Sequence, residues 1–178
     1  KFFSQKRKNR KIETFYKKDI IELRNIGPGS LFITVLIYHI VKGKLFVIKK
    51  DKMVDKEIPK LLKRELENYS KISHQYLPIF YGTVEGDNYP VIEYINGQTL
   101  LNISSLQLSE NDKFSIIYQI ISVFDYLYEN NFIYRDLKPS NIMIDNNKTI
   151  VLIDFDRMIM NDHTPITKDI GTSFADPD

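Results

Sequence analysis

The chain contains no cysteine among its 178 residues, so neither disulfides nor thiolate metal sites contribute. Its three histidines, His39, His74 and His163, are too scattered to suggest a zinc site. Long apolar runs are also missing. The longest, Leu31–Tyr38, falls far short of the roughly 20 residues a membrane helix needs. No segment resembles a signal peptide and no internal repeat is visible, so the expectation is a soluble protein in a cytoplasm-like setting. With 43% hydrophobic and 27% charged residues the composition suits one globular domain or two small lobes. The net charge of +2 conceals an asymmetry. Residues 1–18 carry eight Lys or Arg against the single acid Glu13, leaving 17 basic against 22 acidic residues, a net of −5, for the remainder. Such a basic arm could meet nucleic acid, an anionic membrane or an acidic partner, or stand as a solvated extension.

What is present is organised around residues 132–157, FIYRDLKPSNIMIDNNKTIVLIDFDR. Two apolar runs, Phe132–Tyr134 and Ile150–Ile153, read as buried strands, and each ends near an aspartate, Asp136 or Asp154. Lys138 and Asn141 follow Asp136 at short intervals. An Asp, a Lys, an Asn and a second Asp gathered at one point suit phosphate chemistry with a metal. One carboxylate accepts a proton from a nucleophile and the ammonium offsets phosphate charge. The amide and the second carboxylate are hard oxygen donors for Mg²⁺.

Tyr134-Arg135-Asp136-Leu137-Lys138-Pro139-Ser140-Asn141 resembles the catalytic loop of eukaryotic-type serine/threonine protein kinases, and Asp154-Phe155-Asp156 resembles their metal-binding Asp-Phe-Gly. The resemblance extends in both directions. Ile26-Gly27-Pro28-Gly29-Ser30 is similar to the phosphate-covering loop, with Phe32 where the family has a third glycine. Leu45-Phe46-Val47-Ile48-Lys49 is similar to the strand whose lysine holds the ATP phosphates, and strand alternation sends Lys49 and Lys50 to opposite faces. A helix over roughly Ile58–Ile72 follows, with Glu65 inside its apolar stripe. A carboxylate there needs a partner, for which Lys49 is the choice, and Glu67 is the rival acid off the stripe.

Further strands are expected over Leu77–Tyr81 and Tyr89–Tyr94. The resemblance implies a hinge at Val91–Gly97 in which backbone groups of Glu93 and Ile95 bind adenine. Ile92 would lie at the back of that slot and Met143 would form its floor, with Ile26, Gly27, Gly29 and Val47 also bordering the nucleotide. Ser109-Glu110-Asn111-Asp112 reads as a capped start for a mostly apolar helix reaching about Glu129. Residues 154–178 resemble an activation segment, in which family spacing points to Thr167 as a phosphorylation site facing Arg135, against the alternative of a plain polar loop residue with Thr164 and Thr172 equally accessible.

The implied fold is α+β and two-lobed, like a protein kinase. An antiparallel small-lobe sheet with one helix would precede a truncated, mainly helical second lobe. The divisions expected are 1–18 as basic extension, 19–95 as small lobe and 96–178 as partial large lobe. The helical half of the second lobe is absent, so the chain is expected to be part of a longer kinase. The implied function is ATP- and Mg²⁺-dependent phosphorylation of protein serine or threonine. Asp136, Lys138, Lys49 and Glu65 would be the catalytic set, and Asn141 and Asp154 would hold metal. A protein substrate is implied, with an anionic partner for the basic arm and no nucleic acid for the kinase part. Two alternatives stand beside it: a pseudokinase scaffold, supported by Phe32, Asp156 and Asp178, and a small-molecule kinase on the same scaffold. Because glycine is expected at 156, a left-handed aspartate there would be strained. Thr99 and Ser140 are not acidic, so a preference for arginine before the target residue is not expected.

Overall fold

The computed structural model describes residues 12–28, 32–51, 58–105 and 108–161. Gly29, the basic residues up to Lys11 and the proposed phosphorylation site Thr167 lie outside them. Among the described residues the first lobe is a six-stranded sheet with one helix. Its strands are β1 (Glu13–Phe15), β2 (Ile20–Pro28), β3 (Phe32–His39), β4 (Lys44–Asp51), β5 (Phe80–Val84) and β6 (Pro90–Glu93). They lie in the order β1-β5-β6-β4-β3-β2, with helix α1 (Ile58–Lys71) between β4 and β5 in sequence. All neighbours run antiparallel except β1, which pairs in parallel with β5.

Period-two alternation along β4 divides the sheet's two faces. Phe46 and Ile48 enter one cluster with Val35, Ile37, Tyr81 and Val91. Val47 enters the other, with Ile92 and Tyr69. Lys49 shares the face of Val47, whereas Lys50 pairs with Glu22 on β2. The strand expected over Leu77–Tyr81 begins later, at Phe80. Leu77 instead closes a turn, its N–H donating to the His74 carbonyl at 3.1 Å, and its side chain joins the core between the lobes.

The basic extension ends sooner than its charge suggests. Phe15 is fully buried, edge-on to His39 at 5.1 Å and to Phe46 at 5.2 Å. Lys42 pairs with Glu13 at 2.7 Å, and Glu85 N–H donates to the Phe15 carbonyl at 2.9 Å. Apolar contact outweighs local charge here, so residues 13–15 belong to the sheet. Gly82 makes room for them. At its φ of 147° an added Cβ would lie 1.8 Å from the Glu13 carbonyl oxygen. Gly82→Ala is therefore expected to expel β1 and expose Phe15, costing about 2 kcal/mol or more in urea unfolding. In a chain shortened to begin at residue 17 the same substitution should cost clearly less. Equal costs in both backgrounds would show that β1 contributes nothing.

Among the described residues the second lobe contains α2 (Glu110–Glu129) and five short strands in two small sheets. Strands β7 (Gly97–Thr99), β9 (Ile142–Asp145) and β10 (Ile150–Leu152) form one small sheet. Strands β8 (Phe132–Ile133) and β11 (Ile159–Met160) form another. At the start of α2 the Asp112 N–H donates to Ser109 Oγ at 3.2 Å while Ser109 N–H donates to Asp112 Oδ2 at 2.9 Å, which satisfies two orphan donors. Ile116, Val123 and Leu127 turn inward, whereas Phe114, Ile117, Tyr118 and Ile121 are exposed. Gln119 ties the helix to the β9–β10 hairpin, donating to the Lys148 carbonyl at 3.1 Å and accepting from Ile150 N–H at 2.9 Å. No helix among the described residues is long and apolar enough to cross a membrane.

Candidate active site

The site lies where β4 and α1 of the first lobe meet the loops after β8 and β10. Strand β4 delivers Lys49, and α1 delivers Glu65, which is completely buried. Lys49 Nζ bonds Glu65 Oε1 at 2.9 Å and Asp154 Oδ1 at 2.7 Å. One ammonium therefore joins both lobes. Burial works against the Lys49 charge, yet Glu65 and Asp154 outweigh it and raise its pKa above the ordinary lysine value. Burial pushes the Glu65 carboxyl up against the pull of Lys49, and Glu65 Oε2 finds no hydrogen-bond partner. Burial also penalises the Asp154 charge, but Lys49 overcomes this and holds its carboxyl below the usual range.

The loop after β8 supplies a second group. Asp136 is 4% exposed, and its Oδ2 accepts from Lys138 Nζ at 2.8 Å and from Asn141 Nδ2 at 2.8 Å. Asn141 Nδ2 also donates to the Asp136 carbonyl at 3.0 Å, so its amide carbonyl is the end left to face a cation. Asp136 Oδ1 is buried with no partner, an arrangement that calls for an incoming donor. The two loops are fastened together by Ile153. Its N–H donates to the Asn141 carbonyl at 2.9 Å, and its carbonyl accepts from the Tyr134 hydroxyl. The donor set of Asp154 and Asn141 fits Mg²⁺. That ion is commonly held by one or two protein oxygens together with phosphate and water, rather than by a full protein cage.

Four aromatic rings form one column that links the lobes. Phe80 stacks on Tyr69 at 5.9 Å, Tyr69 meets Phe155 at 4.9 Å, and Phe155 meets Tyr134 at 6.0 Å. Phe155 is completely buried in this column.

Val47 and Ile92 are buried in the shared core, and Met143 on β9 pairs with Thr99 and Val151. Ile26 and Gly27 lie on β2, where Gly27 pairs with Thr34, and Ile26 is 38% exposed. Glu93 N–H donates to the Ile79 carbonyl at 2.9 Å, and its side chain accepts from Ile79 N–H at 3.0 Å. The Ile95 carbonyl accepts from Gly97 N–H at 3.0 Å.

Three placements differ from the sequence expectation or escaped it. Phe32 stands where a mobile glycine was expected, but it is 3% exposed, packed with Leu62. Its ring lies 5.0 Å from Lys49 Nζ. The left-handed residue of Asp154-Phe155-Asp156 is Asp154, with φ 68°, and not Asp156. Arg64 and Asn68 on α1 were not singled out, yet both bond the backbone after Asp154. Their only signal was spacing, one and three residues from Glu65 on the same helix.

Asp156 brings a charge problem rather than a backbone one. Burial first, and the Asp154 charge second, raise its carboxyl above the ordinary range. The folded state thus holds a proton at Asp156 more tightly than the unfolded chain, and the stability this gives is lost as pH rises through the raised pKa. Asp156→Asn is expected to raise the urea midpoint at about pH 8 and to do so less at about pH 5. A gain independent of pH would assign the effect to something other than charge.

Residues 20–174 match the model of the protein kinase domain. The chain is 32% identical over 139 residues to maternal embryonic leucine zipper kinase of Xenopus tropicalis, covering 73% of this chain and 21% of that protein. It is 30% identical over 163 residues to an Aurora kinase of Saccharomyces cerevisiae, covering 86% and 44%. It is 29% identical over 140 residues to the serine/threonine-protein kinase PrkC of Bacillus subtilis, covering 75% and 22%. The chain spans less than half the length of each of these relatives.

Proposed function

We propose, from the premise that this chain belongs to the protein kinase family, that it transfers the γ-phosphate of ATP to serine or threonine hydroxyls of a protein substrate. The observation that carries this reading is the Lys49 bridge between Glu65 and Asp154, with Asp136 fastened alongside through Asn141 and Ile153. Lys49 is the cation for the ATP phosphates, and Glu65 fixes its direction. Asp136 orients the acceptor hydroxyl and takes its proton at Oδ1, the oxygen without a partner. Lys138, bonded to the other oxygen of that carboxylate, neutralises charge on the transferring group. Asn141 and Asp154 are the residues that would hold Mg²⁺. When bound, Mg²⁺ supplies charge neutralisation at the phosphate oxygens. The adenine occupies the slot between Val47, Ile92 and Met143. Because the Ile95 carbonyl is already engaged, the Ile95 N–H and the Glu93 carbonyl are the groups assigned to the base edge.

Lys138 two positions after Asp136 resembles the serine/threonine class, whereas tyrosine kinases usually carry alanine there. A cytoplasmic setting and an anionic partner for the basic N-terminal arm complete the reading. The test is transfer from γ-labelled ATP by the full-length protein to mixed protein acceptors, followed by phosphoamino-acid analysis. Label on serine or threonine is expected. Label on tyrosine, or only on low-mass acceptors, would overturn the assigned substrate class. Mg²⁺-dependent ATP binding without transfer would favour the pseudokinase scaffold.

A further inference from the structure

Helix α1 carries two polar residues one turn apart, Arg64 and Asn68, to which the roles above assign nothing. Both face the segment that follows Asp154. Arg64 Nε donates to the Asp156 carbonyl at 2.9 Å. Asn68 Nδ2 donates to the Phe155 carbonyl at 3.0 Å and to the Met158 carbonyl at 2.9 Å. Asn68 is 5% exposed. An amide at such depth costs free energy unless its hydrogens are placed, and an apolar residue would suit the surrounding core on burial alone. Two carbonyls aligned on one amide nitrogen account for its presence. Residues Phe155 to Met158 lie between β10 and β11 and belong to no strand, so they have no ladder to fix their shape.

Asp154 therefore needs supports on both sides. Before it, Ile153 is fixed by the Asn141 carbonyl and the Tyr134 hydroxyl. After it, the supports come from α1: Asn68, Arg64 and a long contact of Phe155 N–H with Glu65 Oε1 at 3.4 Å. Asp154 itself has φ 68°, a backbone state that a residue with a side chain keeps only where its surroundings over-determine it.

We propose that Asn68 is a positioning residue for phosphoryl transfer, carrying the Phe155 and Met158 carbonyls so that the Asp154 carboxylate stays at Lys49. The proposal rests on the kinase reading above. Asn68 acts on Asp154 through the backbone and touches neither nucleotide nor acceptor.

Asn68→Leu keeps the branched shape and removes the donors, whereas Asn68→Gln keeps an amide. Both are compared with the unaltered full-length protein in steady-state transfer, in Mg²⁺-dependent ATP binding by calorimetry, and in amide hydrogen exchange without metal or nucleotide. For Asn68→Leu, kcat is expected to fall about tenfold to a hundredfold while KM for ATP moves less than about threefold. The Mg²⁺ requirement for ATP binding is expected to rise about tenfold, as for the loss of a support behind a metal ligand. Exchange should quicken at residues 154–158 with the thermal midpoint little changed, and Asn68→Gln should regain most of the metal affinity. Wild-type Mg²⁺ dependence and exchange in Asn68→Leu would overturn the proposal. So would equal losses in both variants with a matching fall in thermal midpoint, the pattern of lost packing. If the unaltered protein binds ATP with Mg²⁺ but transfers no phosphate, the kinase reading fails, and the binding and exchange comparison still decides the role of Asn68.

Discussion

Asp136→Asn is expected to lower kcat about a hundredfold to ten-thousandfold, the range for loss of a positioned general base. The folded state should remain. The substitution is isosteric, and the new amide oxygen can still accept from Lys138 and Asn141, which now bond Asp136 Oδ2. What disappears is the basic oxygen, Oδ1, buried with nothing to bond. ATP binding should change little, because Lys49, Asp154 and the adenine slot are untouched. The measurement is kcat and KM for ATP beside a urea unfolding curve. A fall in kcat matched by an equal loss of stability would make Asp136 a structural residue.

Lys49→Met carries the second large effect, and it has two parts that separate. Glu65 is completely buried and Asp154 partly so, and both lose their cation at once. Removing one member of a buried ion pair costs about 3–5 kcal/mol because the other charge is left unpaired. kcat/KM for ATP should fall about a hundredfold to a thousandfold, as when a preorganised donor is removed from a developing charge. Adding Glu65→Leu should restore much of the stability by removing the stranded carboxylate, and should restore none of the activity. The readouts are urea midpoints and kcat/KM for both variants. If the double variant regained turnover, Lys49 would serve the fold alone.

The grouping of Asp136, Lys138 and Asn141 was legible because short-range chemistry dictates it. Asp136, Lys138 and Asn141 lie within six residues, so their hydrogen bonds need only one turn to form. The Lys49–Glu65 pair was legible for another reason: a lone carboxylate in an apolar helical stripe demands a cation. Residues 13–15 were misread because local charge suggested solvation, whereas Phe15 is claimed by a sheet edge far along the chain at Gly82. Phe32 looked like a lost glycine, and nothing local could say that its ring turns inward against Leu62 and Lys49. Asn68 and Arg64 were invisible for the same reason, since their partners are backbone carbonyls about ninety residues away, which leave no mark on side-chain pattern.

The central claim is that the Lys49–Asp154 bridge and the Asp136 group together perform phosphoryl transfer. The most direct measurement is a single-turnover experiment with γ-labelled ATP, Mg²⁺ and a protein acceptor, comparing the unaltered full-length protein with Asp154→Ala. Label should pass to serine or threonine with the unaltered protein, and Asp154→Ala should transfer none above background. Equal transfer by both proteins, or ATP bound with Mg²⁺ and never cleaved by the unaltered one, would contradict the claim.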